Sequence, residues 1–249
     1  MNKKRAAGAI ILFFLLLFSL IFSEEEGIDF SRSFAPFSFS HPFGCDDMGR
    51  DYASLVALAL RNTFVFSFSV TLFSLFFSFV VALAVLRFPS FLVLLNAIKS
   101  IPKVLLVLFL VSLWGNGVAP LFIAIAAAEI TDNSRVLYTK MLNIRKREYI
   151  KAEHMLGIKE KNIALRHYLP SLFPIMGELA LTVFSATIAA EASLSFLSLG
   201  LPAEYVSLGK LMSSGYRYIF SHPSLIVLPS LFIFLLSLSL YLARESFKD

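Results

Sequence analysis

The sequence predicts an all-α integral membrane protein with six membrane-spanning helices, and three observations predict it. The chain is 57% hydrophobic and only 16% charged over 249 residues, with a mean hydropathy of +0.77. A soluble domain is nearer one quarter charged and has no means of covering so much apolar surface. Apolar runs of the length needed to cross a hydrocarbon core of ~30 Å at ~1.5 Å per residue recur along the chain. Lys and Arg gather between those runs in the pattern that sets membrane topology.

The first span is expected from Ala6 to Phe22, after Lys3, Lys4 and Arg5. A basic start and an apolar run also describe a signal peptide. No small-residue cleavage pattern follows, since Ser23 leads into Glu24, Glu25 and Glu26, so an uncleaved span is the expectation. The second runs from Asn62 to Leu86 and ends in the turn Arg87-Phe88-Pro89-Ser90. The third, Phe91 to Trp114, contains Lys99 and Lys103, costly in lipid unless they snorkel or face a partner or a cavity. The fourth begins near Val118; its clean apolar stretch stops at Ala128, so it needs Glu129 and following residues to reach across. The fifth, Leu172 to Leu199, is interrupted by Glu178 and Glu191, and the sixth, Pro223 to Leu242, precedes the charged tail Arg244 to Asp249. Glu129 and Glu178 read as structural residues near an interface. One transmembrane domain over residues 1–249 is expected, with 1–61 as first span plus external segment and 62–249 as the remainder.

Orientation follows from the basic residues. The segment Thr131 to Pro170 holds nine Lys or Arg, whereas Ser23 to Arg61 holds three with seven acidic residues. With six spans, both termini and the 131–170 loop share one side; all three are basic, so that side is cytoplasmic and Cys45 lies outside. The net charge of +5 and pI of about 9.3 are thereby explained by topology and by anionic lipid. Nucleic acid is not an expected partner, because the loop's cations interleave with Glu148, Glu153 and Glu160 and no aromatic platform accompanies them.

A single cysteine excludes an intrachain disulfide, and the four histidines lack metal-ligand spacing. Asp46, Asp47 and Asp51 with His41 read as an external turn in which Arg50 pairs with a neighbouring carboxylate rather than as a metal site. There is no Gly-x4-Gly-Lys-Ser/Thr loop and no supported nucleophile–base arrangement. Catalytic, cofactor-binding and metal-binding residues are therefore expected to be none.

The 131–170 loop is too long for a bare connection. Arg147 to Leu156 suits a short amphipathic helix with Tyr149, Ala152 and Leu156 on one face and Ile150 and Met155 beside it. Gly157 fits a C-terminal cap in the left-handed conformation. Ile158 to Tyr168 suits a second helix, ended by Pro170. Such a helix–Gly–helix is fit to dock a soluble partner.

These residues carry a resemblance. Glu148-Tyr149-Ile150-Lys151-Ala152-Glu153-His154-Met155-Leu156-Gly157, with Arg166-His167-Tyr168-Leu169-Pro170, resembles the EAA loop of ABC importer permeases, Lys151-Ala152-Glu153 standing at the EAA triplet. His41-Pro42-Phe43-Gly44-Cys45-Asp46-Asp47-Met48-Gly49-Arg50-Asp51 resembles the segment after the first span of the C-type subunit in dipeptide, oligopeptide and nickel importers. Glu191 to Pro202 resembles that subfamily's EASLSFLGLG segment, and His222-Pro223 also fits. The departures are Lys151 for the first Glu of the triplet, Glu153 for its last Ala, Lys159 for a capping Ser, Thr131-Asp132-Asn133 for an aromatic-Pro-Gly, Leu208 for a Trp, and the tail from Ala243.

The resemblance implies a type I ABC importer permease in the cell's inner membrane, forming half of a translocation pathway for di- or oligopeptides or nickel. It implies a second permease subunit in a heterodimer, two ATPase subunits holding ATP and Mg, and an extracytoplasmic substrate-binding protein. It assigns ATPase coupling to Glu148, Tyr149, Ala152, Glu153, Met155, Gly157, His167, Leu169 and Pro170. Glu191, Ser193 and Ser195 are pathway or structural candidates, with structural pairing the favoured reading of Glu191. The competing classes are a secondary transporter, which carries a broken-helix site at mid-membrane, and a membrane subunit that transports nothing.

Overall fold

The computed structural model describes residues 3–22 and 27–245. The acidic run at Glu24 to Glu26 and the last four residues of the charged tail lie outside these residues. Ten α-helices follow one another: α1 (Lys3–Ile21), α2 (Tyr52–Arg87), α3 (Ser90–Lys99), α4 (Lys103–Trp114), α5 (Val118–Arg145), α6 (Glu148–Met155), α7 (Glu160–Ile163), α8 (Leu169–Phe196), α9 (Leu208–Tyr216) and α10 (Ser224–Glu245). Among the described residues the only β pairing is an isolated bridge between Cys45 and Asp51. The six expected spans coincide with α1, α2, the α3–α4 pair, α5, α8 and α10. By length and apolarity α2, the run from α7 through α8, and α10 each suffice to cross a membrane, and α3 with α4 make a fourth such unit.

The long helix α2 is the centre of the packing, touching α1, α5, α8 and α9. Its sequence explains why. Thr63, Ser67, Thr71, Ser74 and Ser78 recur at steps of three and four, and all are buried. That spacing places five small hydroxyls on one face. Small side chains let neighbouring backbones approach, and two of the hydroxyls are satisfied within the helix: Thr71 Oγ1 donates to the Ser67 carbonyl at 2.7 Å and Ser74 Oγ to that of Val70 at 2.6 Å, while Thr63 reaches Glu191 on α8 at 3.3 Å. The opposite face presents Val65, Phe68, Leu72, Phe76 and Val80, all exposed, as the surface for lipid or a partner helix.

Several expectations need correction. Helix α2 starts at Tyr52, ten residues before Asn62, because Asp51 caps it by accepting from Ser54 N at 2.8 Å. Asn62 is accommodated mid-helix by donating to the Val206 carbonyl at 2.9 Å. Residues 52–61, expected to precede the second span, are therefore the first turns of α2. The third span is not one helix: α3 and α4 meet at 91° across Ser100–Pro102. Pro102 has no N–H to give and disfavours helical backbone in the residue before it. This corner gives both lysines partners on α5. Lys99 pairs with Asp132 at 3.3 Å, and Lys103 pairs with buried Glu129.

Helix α5 runs on to Arg145, so the expected loop from Thr131 opens 15 residues too early. Thr131-Asp132-Asn133 does not break the helix, because Thr131 Oγ1 and Asn133 Nδ2 each donate to the carbonyl four residues back, at 2.9 and 2.8 Å. Leu137, Met141 and Ile144 then continue its buried face. The second short helix is also revised. After the four residues of α7, Ala164–Tyr168 form a π-helical turn that feeds α8 without a stop, and Pro170 sits in the first turn of α8. Its missing N–H costs least there, although here the helix is entered from a preceding turn.

Candidate functional site: the helix–glycine–helix hairpin

At one end of the molecule α6 and α7 fold into a hairpin about Gly157. The glycine adopts φ +75°, with open space where a Cβ would stand. This left-handed backbone is what a C-terminal cap requires and what β-branched residues resist. The inward-facing residue of α6 is Ile150, fully buried, rather than Tyr149, Ala152 or Leu156. It packs in a cluster with Leu137, Met141, Ile163, Tyr168 and Leu86, and Arg145 Nη1 donates to the Leu86 carbonyl at 3.1 Å. The hairpin is thus seated on the ends of α2 and α5.

The two arms are cross-linked by two His–Glu pairs. His167 Nε2 lies 2.8 Å from Glu153 Oε1, and His154 Nε2 lies 2.7 Å from Glu160 Oε2. Tyr168 donates to the other Glu160 oxygen at 3.1 Å. His154 Nδ1 must donate at 2.8 Å to the Ile150 carbonyl, which only accepts. The second bond, to a carboxylate, is best made by an imidazolium. Accordingly the Ile150 carbonyl first and Glu160 second raise the His154 pKa above 6.5, against burial and the Arg145 charge. Lys159 precedes α7 without a side-chain cap, as expected from the missing Ser.

What remains outward is apolar. Met155 is 88% exposed, Leu156 79% and Tyr149 44%, with Ala152 beside them. Tyr149 also stands with its ring centroid 5.4 Å from that of His167. Glu148 pairs with Lys151 at 2.9 Å on the rim. Of the residues named from sequence, Glu148, Tyr149, Ala152, Glu153, Met155, Gly157 and His167 come together here, while Leu169 and Pro170 belong to the start of α8. The sequence reading does not single out His154, Glu160 or Ile150. The signal for the first two was a histidine and a glutamate flanking the predicted cap.

The second candidate group splits. Glu191 is fully buried, accepting from Ser195 Oγ at 2.8 Å and Thr63 Oγ1 at 3.3 Å, while Leu208 N donates to that same Thr63 oxygen at 3.3 Å. It therefore ties α8 to α2 and to the start of α9. Ser193 instead borders an apolar cavity of about 440 Å³ with Ala189, Phe196, Met212 and Ile233. The acidic turn before α2 is held internally: Asp46 accepts a forked pair of bonds from Arg50 at 2.9 and 2.7 Å, and His41 Nδ1 stands 3.3 Å from Asp51.

Residues 9–248 match the family described as binding-protein-dependent transport system inner membrane component, and the chain belongs to that family. It is an ABC importer permease subunit of the C-type and a multi-pass membrane protein. Three curated relatives illustrate the likeness. A dipeptide transport system permease protein DppC of Alkalihalophilus pseudofirmus is 27% identical over 260 residues, covering 100% of this chain and 85% of its own. A putative peptide transport system permease protein of Brucella suis is 27% identical, covering 87% and 74%. An oligopeptide transport system permease protein OppC of Salmonella typhimurium is 26% identical, covering 93% and 81%. Among solved structures, a chain of the MetNI methionine ABC transporter in inward-facing conformations superposes with a TM-score of 0.55 at 18% identity, covering 77% of this chain and 95% of that one. At that identity the likeness establishes the type I importer fold.

Proposed function

We propose that this subunit forms half of the translocation pathway of a peptide importer and that α6, turned at Gly157, couples it to the ATPase subunits. The observation that carries the reading is the hairpin itself: a rigid, cross-linked helix pair whose outer surface is Tyr149, Met155 and Leu156. Large apolar side chains on a cytoplasmic loop have no lipid to enter and are the anchors of a small protein interface. Because Ile150 is rooted between α2 and α5, a push on α6 is delivered to the spans. ATP drives such a change only if it binds one arrangement of the assembly better than the other. Of the substrates the resemblance implies, the relatives' names favour peptides over nickel. The remaining assembly is a second permease, two ATPases and an extracytoplasmic binding protein, with the hairpin and both termini in the cytoplasm and Cys45 outside. Burial of Cys45 makes it a poor target for thiol labelling.

The test is co-purification of the ATPase from membranes. Tyr149→Ala or Met155→Ala should each weaken it by about 1–2 kcal/mol, roughly tenfold, the size expected of an interface anchor. Lys159→Ala should change it little, and salt should not mimic the loss, because screening weakens charge pairs and not apolar contact. If Lys159→Ala and salt are the damaging changes, the loop binds charge or lipid and the coupling role is wrong.

A further inference from the structure

At the end of the molecule opposite the hairpin, a cavity of about 360 Å³ opens between the turn before α2 and the α8–α9 connection. Its volume lies in the range of small-molecule sites. Both signs of charge line it: Asp47, Glu204, Arg50, Lys210 and Arg217. Two of these charges are already engaged at short range. Arg50 is engaged by Asp46, and Asp47 accepts from the Tyr218 hydroxyl at 3.2 Å. Lys210, only partly exposed, donates to the Pro202 carbonyl and has no carboxylate within salt-bridge reach among the described residues. Burial lowers its pKa, opposed by the charge of Glu204. The side chains of Arg217 and Glu204 have no hydrogen-bond or ion-pair partner among the described residues.

Ser198 borders the cavity at φ +59° because it closes α8 as a left-handed C-terminal cap, Leu199 N donating to the Leu194 carbonyl at 2.9 Å. Two cations and a carboxylate that form no salt bridge among the described residues, around one cavity, match a ligand that carries a carboxylate at one end and an ammonium at the other. We infer that this cavity receives a short zwitterionic peptide, with Lys210 and Arg217 taking its C-terminal carboxylate and Glu204 its N-terminal ammonium. The inference rests on the peptide reading above and adds where, and by which groups, this chain would first hold the substrate. Lipid is a poor occupant, because charges of both signs line the cavity.

The experiment uses the complex reconstituted with its ATPases and a binding protein saturated with ligand, so that the binding protein's own preference drops out. Transport of trialanine is compared with that of trialanine amide and N-acetyl-trialanine. The wild-type complex should move trialanine faster than either blocked form by about tenfold or more, the order expected for a lost charge-assisted contact. Arg217→Gln and Lys210→Gln should bring the free-to-amide ratio towards one and leave the acetyl ratio unchanged; Glu204→Gln should do the reverse. Arg217 is exposed and makes no side-chain hydrogen bond or salt bridge among the described residues, so its variant is expected to fold even if Lys210→Gln does not. A wild-type complex that moves free and blocked peptides equally, or variants that keep its ratios, overturns the cavity assignment alone. A wild-type complex that moves no peptide overturns the peptide reading as well.

Discussion

The two ends of the molecule are built on opposite plans. At the hairpin end two His–Glu pairs join the arms over 6 and 14 residues, a buried cluster seats them on α2 and α5, and large apolar side chains are left outside. At the other end the segment 27–51 is strapped over α9 and α10 by contacts distant in sequence. Phe34 stacks on His222 at 4.2 Å and meets Tyr218 edge-on at 4.9 Å. Tyr52 donates to the Leu225 carbonyl at 2.5 Å, Ser33 to that of Asp47 at 2.8 Å, and Gly200 N to Asn116 Oδ1 at 3.0 Å. The strapped end is a frame that fixes the helices relative to each other and leaves a polar cavity between them. In the proposed function the hairpin end is the lever, with Tyr149, Met155 and Leu156 exposed on its surface. The difference teaches where, if the proposed coupling holds, long-range stability and a moving face would be kept apart in one chain.

Substitutions at the frame should therefore cost folding, and substitutions at the lever should cost coupling. The largest expected effect is Gly209→Val. Even an alanine Cβ there would lie 2.7 Å from Ala192 Cα, against backbone of α8 that has nowhere to go. A loss of about 3 kcal/mol or more is expected of such overpacking, read as a fall in folded yield and in the thermal midpoint of the detergent-solubilised protein. If Gly209→Val keeps the wild-type midpoint, the close α8–α9 packing is not what holds this end together.

A smaller effect belongs to the lever. The raised pKa of His154 means that the folded hairpin binds its proton more tightly than the unfolded chain does. The stabilisation it lends is fully present below pH 6.5 and is lost as the pH rises through the raised value. Hydrogen exchange in residues 148–163 should therefore quicken with rising pH beyond the intrinsic dependence, while residues 52–60 of α2 should not. His154→Gln should remove that excess. An excess that survives in His154→Gln assigns the titration to another group.

The outline of this fold was legible because hydropathy alone locates helices that must face lipid. The limits of those helices were less so, since they depend on partners far away in sequence. Arg61 and Asn62 look like the edge of a span until Asn62 is seen to donate to Val206, and Lys99 and Lys103 look misplaced until Asp132 and Glu129 are found beside them. Gly157 was readable, because a left-handed cap is a local requirement. The phase of α6 was not: eight residues are too few for periodicity to choose between Tyr149 and Ile150, and the core formed by Leu137, Met141 and Ile163 makes the choice. Glu191 announced itself as an acid in an apolar run, but its partner Thr63 stands 128 residues earlier.

The lever is tested most directly at its turn. Gly157 has open space about it, so a substitution there costs conformation and not packing. In the reconstituted complex, Gly157→Val should reach the membrane in normal amount yet lose most substrate-stimulated ATP hydrolysis and transport. Gly157→Asn, which tolerates the left-handed region, should retain both. Normal stimulated hydrolysis and transport with Gly157→Val would contradict the coupling role of the hairpin.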